Sequence, residues 1–244
     1  TWTKVADMPT ARSNFGTGVV NGKITVMGGI CGTDNLKAVE EFDPSTGKWT
    51  VKNNLRDWNS DFSVSEANGK LYISGGKNST QITEYNPLTC SEVKAVELPS
   101  MVYGHASVVL NGNVYILGGF VNSSYSNQNL CYSPQKDGWI EETSMLSERA
   151  FFTAEIVNGK IYIFGGQDIN CSPVNTVEEY DIATGTWSPC PPMSERKTYL
   201  TSGVIDGKIY VCGGDYWGYD MPYSNVLEVY DPVSKTWSRK ANMP

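Results

Sequence analysis

With 244 residues and 26 acidic against 19 basic side chains, the chain carries a formal charge of −7, which argues against the lysine- and arginine-rich surface that neutralises a phosphate backbone. No apolar run approaches the ~18 residues of a membrane-spanning helix. One histidine and six scattered cysteines without a Cys-x-x-Cys pair offer no cluster of zinc or copper ligands, so no metal or other cofactor is expected. A domain of this size needs no disulfide staples, and free thiols fit a reducing compartment such as the cytoplasm.

In chain order, residues 1–9 read as a lone outermost strand, because Trp2 and Met8-Pro9 recur as Trp237 and Met243-Pro244. From residue 10 one unit recurs five times, over about 10–52, 53–97, 98–143, 144–190 and 191–244. Glycine pairs mark it at Gly28-Gly29, Gly75-Gly76, Gly118-Gly119, Gly165-Gly166 and Gly213-Gly214, in steps of 47, 43, 47 and 48 residues. A period of that size signals a stacked or circular repeat architecture. Each pair ends a short apolar strand, such as Lys160-Ile161-Tyr162-Ile163-Phe164, preceded by a two-residue turn, such as Asn158-Gly159 or Asp206-Gly207. Such dipeptides tolerate the positive φ angles of a type I′ hairpin. The two strands they join are nearly continuous in apolar character and are expected to be buried on both faces. A third strand ends in Phe42, Tyr85, Tyr132, Tyr180 or Tyr230, and seven residues later stands Trp49, Trp139, Trp187 or Trp237; the second copy has Glu92 instead. Four short antiparallel strands per unit predict an all-β propeller.

The twin glycine, then Val39-Glu40-Glu41-Phe42-Asp43-Pro44, then Thr46-Gly47-Lys48-Trp49 resembles the Kelch motif, and its five copies cover the whole chain. The resemblance implies a single Kelch-type β-propeller in which glycines and aromatics are scaffold. Five repeats plus an extra N-terminal outer strand leave two closures open: a five-bladed ring, or a six-bladed ring lacking part of one blade.

Enzyme chemistry is scarce. His105 is the single histidine, and no Gly-x-Ser-x-Gly elbow is present to build a hydrolase triad. An acid–base sugar enzyme (mutarotase- or epimerase-like) remains the alternative, with Glu148, Arg149, Glu195 and Arg196 as its candidate set in the channel. Ser147-Glu148-Arg149 and Ser194-Glu195-Arg196 read as one repeat position, with Arg12 their counterpart in the first copy. Glu40, Glu178 and Glu228 precede the third-strand aromatic by two residues and share its face, so these arginines are equally their expected ion-pair partners.

Variation between copies concentrates in two sets of connections, one after the glycine pair and one between units. Loops on a rigid scaffold carry function disproportionately. The Kelch resemblance implies the same face, because family members hold partner segments there and around the central pocket. Its pocket positions fall on Arg12 and Asn14, Asn59 and Asp61, Tyr103 and His105, Arg149 and Phe151, and Lys197 and Tyr199. This set is mixed in charge, unlike the arginine-rich pockets that capture acidic peptides. The loop after Gly214 adds Tyr216, Trp217 and Tyr219 between acidic residues, and exposed Tyr and Trp are enriched where proteins anchor partners. Phe120 and Tyr125 on another copy extend this aromatic content. The expected function is non-catalytic recognition of a protein or peptide segment, with a glycan as the other ligand class, and with neither nucleic acid nor membrane as partner.

Overall fold

A computed structural model of the chain describes residues 2–57, 60–77, 79–133, 138–216 and 223–244. Five four-stranded antiparallel sheets follow one another in chain order. In the first, Gly16–Val20, Lys23–Met27, Val39–Asp43 and Lys48–Val51 lie side by side. The innermost strands of the other four are Ser63–Ala67, Ala106–Leu110, Thr153–Val157 and Thr201–Ile205, and all five innermost strands pack consecutively.

Local chemistry accounts for each sheet. Asn21 and Gly22 have φ of 52° and 73°, the two positive angles of a type I′ turn, and they pair Val20 with Lys23. The twin glycine ends the second strand where it passes the incoming linker. A Cβ on Gly29 would stand 2.5 Å from the Ser13 carbonyl oxygen, and one on Gly166 would stand 2.7 Å from that of Ala150, so no side chain fits. Because successive strands are antiparallel, the tight turns share one end of every sheet. The connections after the glycine pair and the linkers share the other, the loop face.

The core lies between sheets. Four buried clusters each join consecutive sheets; in one, Leu117 and Cys131 of the third meet Ile161, Tyr180 and Trp187 of the fourth. The second and third strands supply most of this burial. The innermost strands differ from the sequence expectation: they are not buried on both faces, because their upper residues, among them Thr17, Ser63 and Ser202, line a central channel. All six cysteines are free thiols.

Indole bonds tie four of the five sheets to the segment behind them. The Nε1 groups of Trp139, Trp187 and Trp237 donate to the carbonyls of Glu97, Thr143 and Pro191 at 2.9, 2.8 and 2.9 Å. Where Glu92 replaces tryptophan the polarity reverses, and its carboxylate accepts from the Arg56 amide at 2.9 Å. At the N-terminus, residues 2–9 run along the rim with no ladder partner among the described residues. Trp49 Nε1 reaches the Ala6 carbonyl at 3.1 Å and Trp2 Nε1 reaches that of Ala241 at 3.0 Å. This segment therefore holds the place of an outermost strand between the fifth and first sheets.

Inside that strap a sector is open. Phe15 is 37% exposed, whereas Phe62, Phe152 and Leu200 at the same repeat position are 7–8% exposed. Ile205 is 56% exposed against 5% for its counterparts Val20 and Val157. Among the described residues no sheet precedes the first to cover Phe15 and none follows the fifth to cover Ile205.

Candidate functional site: the channel mouth

At the loop end of each innermost strand one residue adopts the left-handed conformation: Asn14, Asp61, Gly104, Phe151 and Tyr199, with φ between 53° and 62°. Such angles are uncommon for side-chain-bearing residues, and here they turn the peptides to face around the channel. The amide of Asp61 donates to the Asn14 carbonyl (3.3 Å), Gly104 to Asp61 (2.9 Å), Phe151 to Gly104 (2.7 Å) and Tyr199 to Phe151 (2.9 Å). The result is a circuit of four hydrogen bonds over five sheets.

The circuit corrects the repeat register in the third copy. Val102 and Gly104, not Tyr103 and His105, are the counterparts of Arg149 and Phe151. His105 instead occupies the position of Phe15, Phe62, Phe152 and Leu200. It is 5% exposed, its Nε2 is 3.0 Å from Ser74 Oγ, and burial lowers its pKa to about 3, so the ring is neutral. Gly104 has its own consequence. A Cβ there would meet the Phe151 ring at 2.7 Å, and without one that ring lies across the mouth.

The expected charged positions point elsewhere. Arg12 pairs with Glu40 at 3.0 Å, with both side chains almost fully buried, and its Nη1 donates to the Gly28 and Ala38 carbonyls at 2.9 and 2.8 Å. Arg149, 1% exposed, is bonded to Glu178 and Ser147, and also donates to the Gly165 carbonyl at 3.0 Å. These guanidiniums clamp the linker to the third strand of the sheet it enters and are closed off from the channel. In the fifth sheet the partner of Glu228 is Lys197 rather than the exposed Arg196. The candidate acid–base set is likewise not assembled: Glu148 is exposed, and Glu195 accepts hydrogen bonds from Tyr216 and Ser224 at 2.7 and 3.0 Å.

Lys197 fits this place poorly. It is fully buried, its Nζ lies 3.9 Å from Glu228 and 4.0 Å from Glu195, and it has no hydrogen-bond partner among the described residues. Burial lowers its pKa, against the pull of Glu228 and Glu195. A guanidinium would reach both the carboxylate and the carbonyls that Arg12 and Arg149 use. Lys197→Arg is therefore expected to raise the unfolding free energy by about 1–2 kcal/mol, measured by urea denaturation.

The channel contains two contiguous cavities of about 470 and 490 Å³ that share Phe15, Phe62, His105 and Phe152. Its wall is rich in hydroxyls. Ser107 donates to Ser63 at 2.8 Å, Thr153 and Ser202 are 2.6 Å apart, and Ser202 donates to Glu155 at 2.8 Å. Burial raises the Glu155 pKa against that hydrogen bond. In the sequence the only trace of this lining is the Ser and Thr residues along innermost strands that otherwise read as apolar. Among the described residues no group of His, Cys, Asp and Glu could hold a metal ion.

Above the cavities the mouth is aromatic. Phe151 stacks on Tyr199 with centroids 4.4 Å apart, Phe120 is 5.7 Å from Phe151, and Tyr103 stacks on Phe120 at 5.1 Å. Tyr125 adds a ring 4.3 Å from Phe120. Beside this shelf Lys77 bonds Asp61 at 2.8 Å and lies 5.9 Å from the Tyr103 ring centre. The shelf unites Tyr103, Phe151 and Tyr199 with Phe120 and Tyr125 over three sheets. Tyr216 stands apart, half-buried against Glu195. Asn59, Trp217 and Tyr219 lie outside the described residues.

A family model described as the KLHDC2/KLHL20/DRC7 Kelch-repeats domain matches residues 62–243, and a Kelch motif model matches residues 11–56. Kelch-like protein 36 of Rattus norvegicus is 27% identical over 259 residues, covering 100% of this chain and 42% of its own length. Kelch repeat protein C2 of vaccinia virus (strain Western Reserve) is 28% identical over 197 residues, covering 76% of this chain and 37% of its own. The chain thus spans about two-fifths of the length of such curated relatives. Among solved structures, YjhT superposes with a TM-score of 0.81 at 17% identity, over 98% of this chain and 86% of that one. Its likeness is one of fold. With the glycine pairs and the third-strand aromatics in register through five sheets, and the indole bonds in four of them, the chain belongs to the Kelch-repeat family.

Proposed function

We propose that the protein is a non-catalytic recognition module that seats a segment of a protein partner on the loop face, across the channel mouth. The observation that carries this reading is the aromatic shelf. Tyr103, Phe120, Phe151 and Tyr199 come from connections in three different sheets, yet form one continuous set of ring contacts, and Tyr199 remains 44% exposed. Stacked rings lose little side-chain entropy on binding and present apolar area with a polar edge, which is why such clusters anchor partners. The shelf lies beside Asp61, and Trp217 and Tyr219 belong to the same proposed surface on sequence grounds.

A phage-displayed peptide library panned on the chain supplies the probe. Phe120→Ala and Tyr199→Ala are each expected to weaken the selected peptide about tenfold or more, with the far-ultraviolet spectrum and urea midpoint close to those of the parent. Equal affinity for parent and both variants would remove the shelf from the reading.

A further inference from the structure

In the first and fourth repeats a buried arginine–glutamate clamp fills the space between the incoming linker and the third strand. The same guanidinium satisfies the carbonyl of the leading glycine: Arg12 donates to Gly28 at 2.9 Å and Arg149 to Gly165 at 3.0 Å. The third repeat has Val102 and Leu130 at the two clamp positions. These side chains are shorter than arginine and carry no polar atom. Two consequences meet at one place. A cavity of about 280 Å³ opens there, walled by Leu98, Val102, Ile116, Val121, Leu130 and Trp139. Buried Gly118, the counterpart of Gly28 and Gly165, also lines it, and among the described residues nothing donates to the Gly118 carbonyl. The Gln128 carbonyl beside it is already bonded to the Gly118 amide at 2.9 Å.

The cavity is built from residues 98–141 alone and is separate from the aromatic shelf. Val102 pairs with Val121, and Tyr103 with Phe120, in a two-stranded ribbon. Adjacent pairs along such a ribbon project to opposite faces, so the ring pair joins the shelf and the valine pair lines the cavity. An apolar cavity of ~150 Å³ already takes up benzene, so this larger one has room for a molecule of two fused rings. Its one charged lining residue, Glu141, is exposed at the surface and disfavours an anion. An apolar body is therefore matched by the walls, and a single donor by the one free acceptor.

We propose that this cavity is a binding site for a small, uncharged, largely apolar molecule that carries one hydrogen-bond donor, indole- or phenol-like in its chemistry. The ring body occupies the volume that the clamp side chains take in the first and fourth repeats. Its N–H or O–H donates to the Gly118 carbonyl in place of the missing guanidinium.

The test titrates free indole into the whole chain, labelled at the methyl groups of Ile, Leu and Val. Saturable shifts are expected at Val102, Ile116, Val121 and Leu130, with a Kd of about 0.1–1 mM. Ile163, which stands beside the intact clamp of the fourth repeat where Ile116 stands in the third, is the internal reference and is expected not to move. Benzofuran has the same shape without the donor and is more apolar, yet it is expected to bind at least about threefold more weakly, because it leaves the Gly118 carbonyl unpaired. Val102→Arg combined with Leu130→Glu rebuilds the clamp, and Val121→Phe fills the cavity with a ring. Each is expected to weaken indole at least about tenfold. Val121→Phe imports no charge and serves alone if the rebuilt clamp does not fold, as judged by its urea midpoint.

Three results would each overturn the proposal: no saturable shift of the cavity methyls at millimolar indole or an equal one at Ile163, benzofuran binding as tightly as indole, or parent-like affinity in the folded filled variants.

Discussion

Arg149→Ala is expected to lower the unfolding free energy by about 3–5 kcal/mol, because it leaves the Glu178 carboxylate buried without its cation. Glu178 is 3% exposed. Apart from Arg149, it accepts hydrogen bonds from the Leu146 amide at 2.9 Å and the Ser147 hydroxyl at 2.7 Å, which cannot neutralise it. The chain itself contains the control. In the third repeat Val102 and Leu130 stand where Arg149 and Glu178 stand in the fourth, and they pack in one apolar cluster. Between these two repeats the pair changes as a unit, charged with charged in the fourth and apolar with apolar in the third.

The double variant Arg149→Val, Glu178→Leu is accordingly expected to recover at least half of the loss. A buried ion pair replaced by apolar side chains of similar reach is close to neutral, whereas half of one is not. Recovery stops short of complete because the Leu146 amide and Ser147 hydroxyl lose their acceptor. Urea denaturation of the parent, single and double variants measures all three values. A double variant no more stable than the single one would show that the clamp acts through geometry rather than charge compensation.

The second large effect is a dependence on pH. His105 has an unfolded pKa near 6.5 and a folded value of about 3, lowered by burial. A base whose folded pKa is depressed binds its proton more readily in the unfolded chain. Its contribution to stability is therefore intact above pH 6.5 and is lost progressively as pH falls from there toward 3. Between pH 7 and pH 5 the loss attributable to this residue is about 2 kcal/mol. Glu155 runs the other way: burial raises its folded pKa, so acidification relieves a penalty there. The diagnostic quantity is thus the difference between the parent and His105→Phe, the residue present at the same position in the first, second and fourth repeats. The parent is expected to lose about 2 kcal/mol more than the variant over this range, read from urea midpoints at each pH. Parallel pH profiles would mean that the imidazole is charged in the folded protein and that its site admits water.

The contrast between His105 and Arg149 shows where sequence reasoning holds and where it ends. The ion pairs were legible because Glu40 and Glu178 share a face with the third-strand aromatic, and strand periodicity places them without knowledge of any other sheet. The third-copy pocket positions were misplaced by one residue, and in a strand a one-residue slip turns every side chain to the opposite face. The step from the second to the third glycine pair is 43 residues against 47 on either side, and Gly104 at the left-handed position gives no residue-type match to Asn14, Asp61, Phe151 or Tyr199. Only the backbone angles and the circuit set the register. Likewise Tyr103 and Tyr125, two aromatics among many, acquire meaning through contact with Phe120, itself brought to Phe151 by the missing side chain at Gly104.

By itself, the sequence determined the repeating unit, its four-stranded meander, its Asn-Gly turns and its scaffold aromatics. These follow from short-range rules: alternation along a strand, positive φ in a two-residue turn, and glycine where two backbones meet. The tertiary structure alone decided which residues face the channel, which rings join into a shelf, and that the first and fifth sheets leave a sector between them. Those properties depend on the angle between successive sheets and on contacts between side chains of different repeats, quantities that no local pattern encodes.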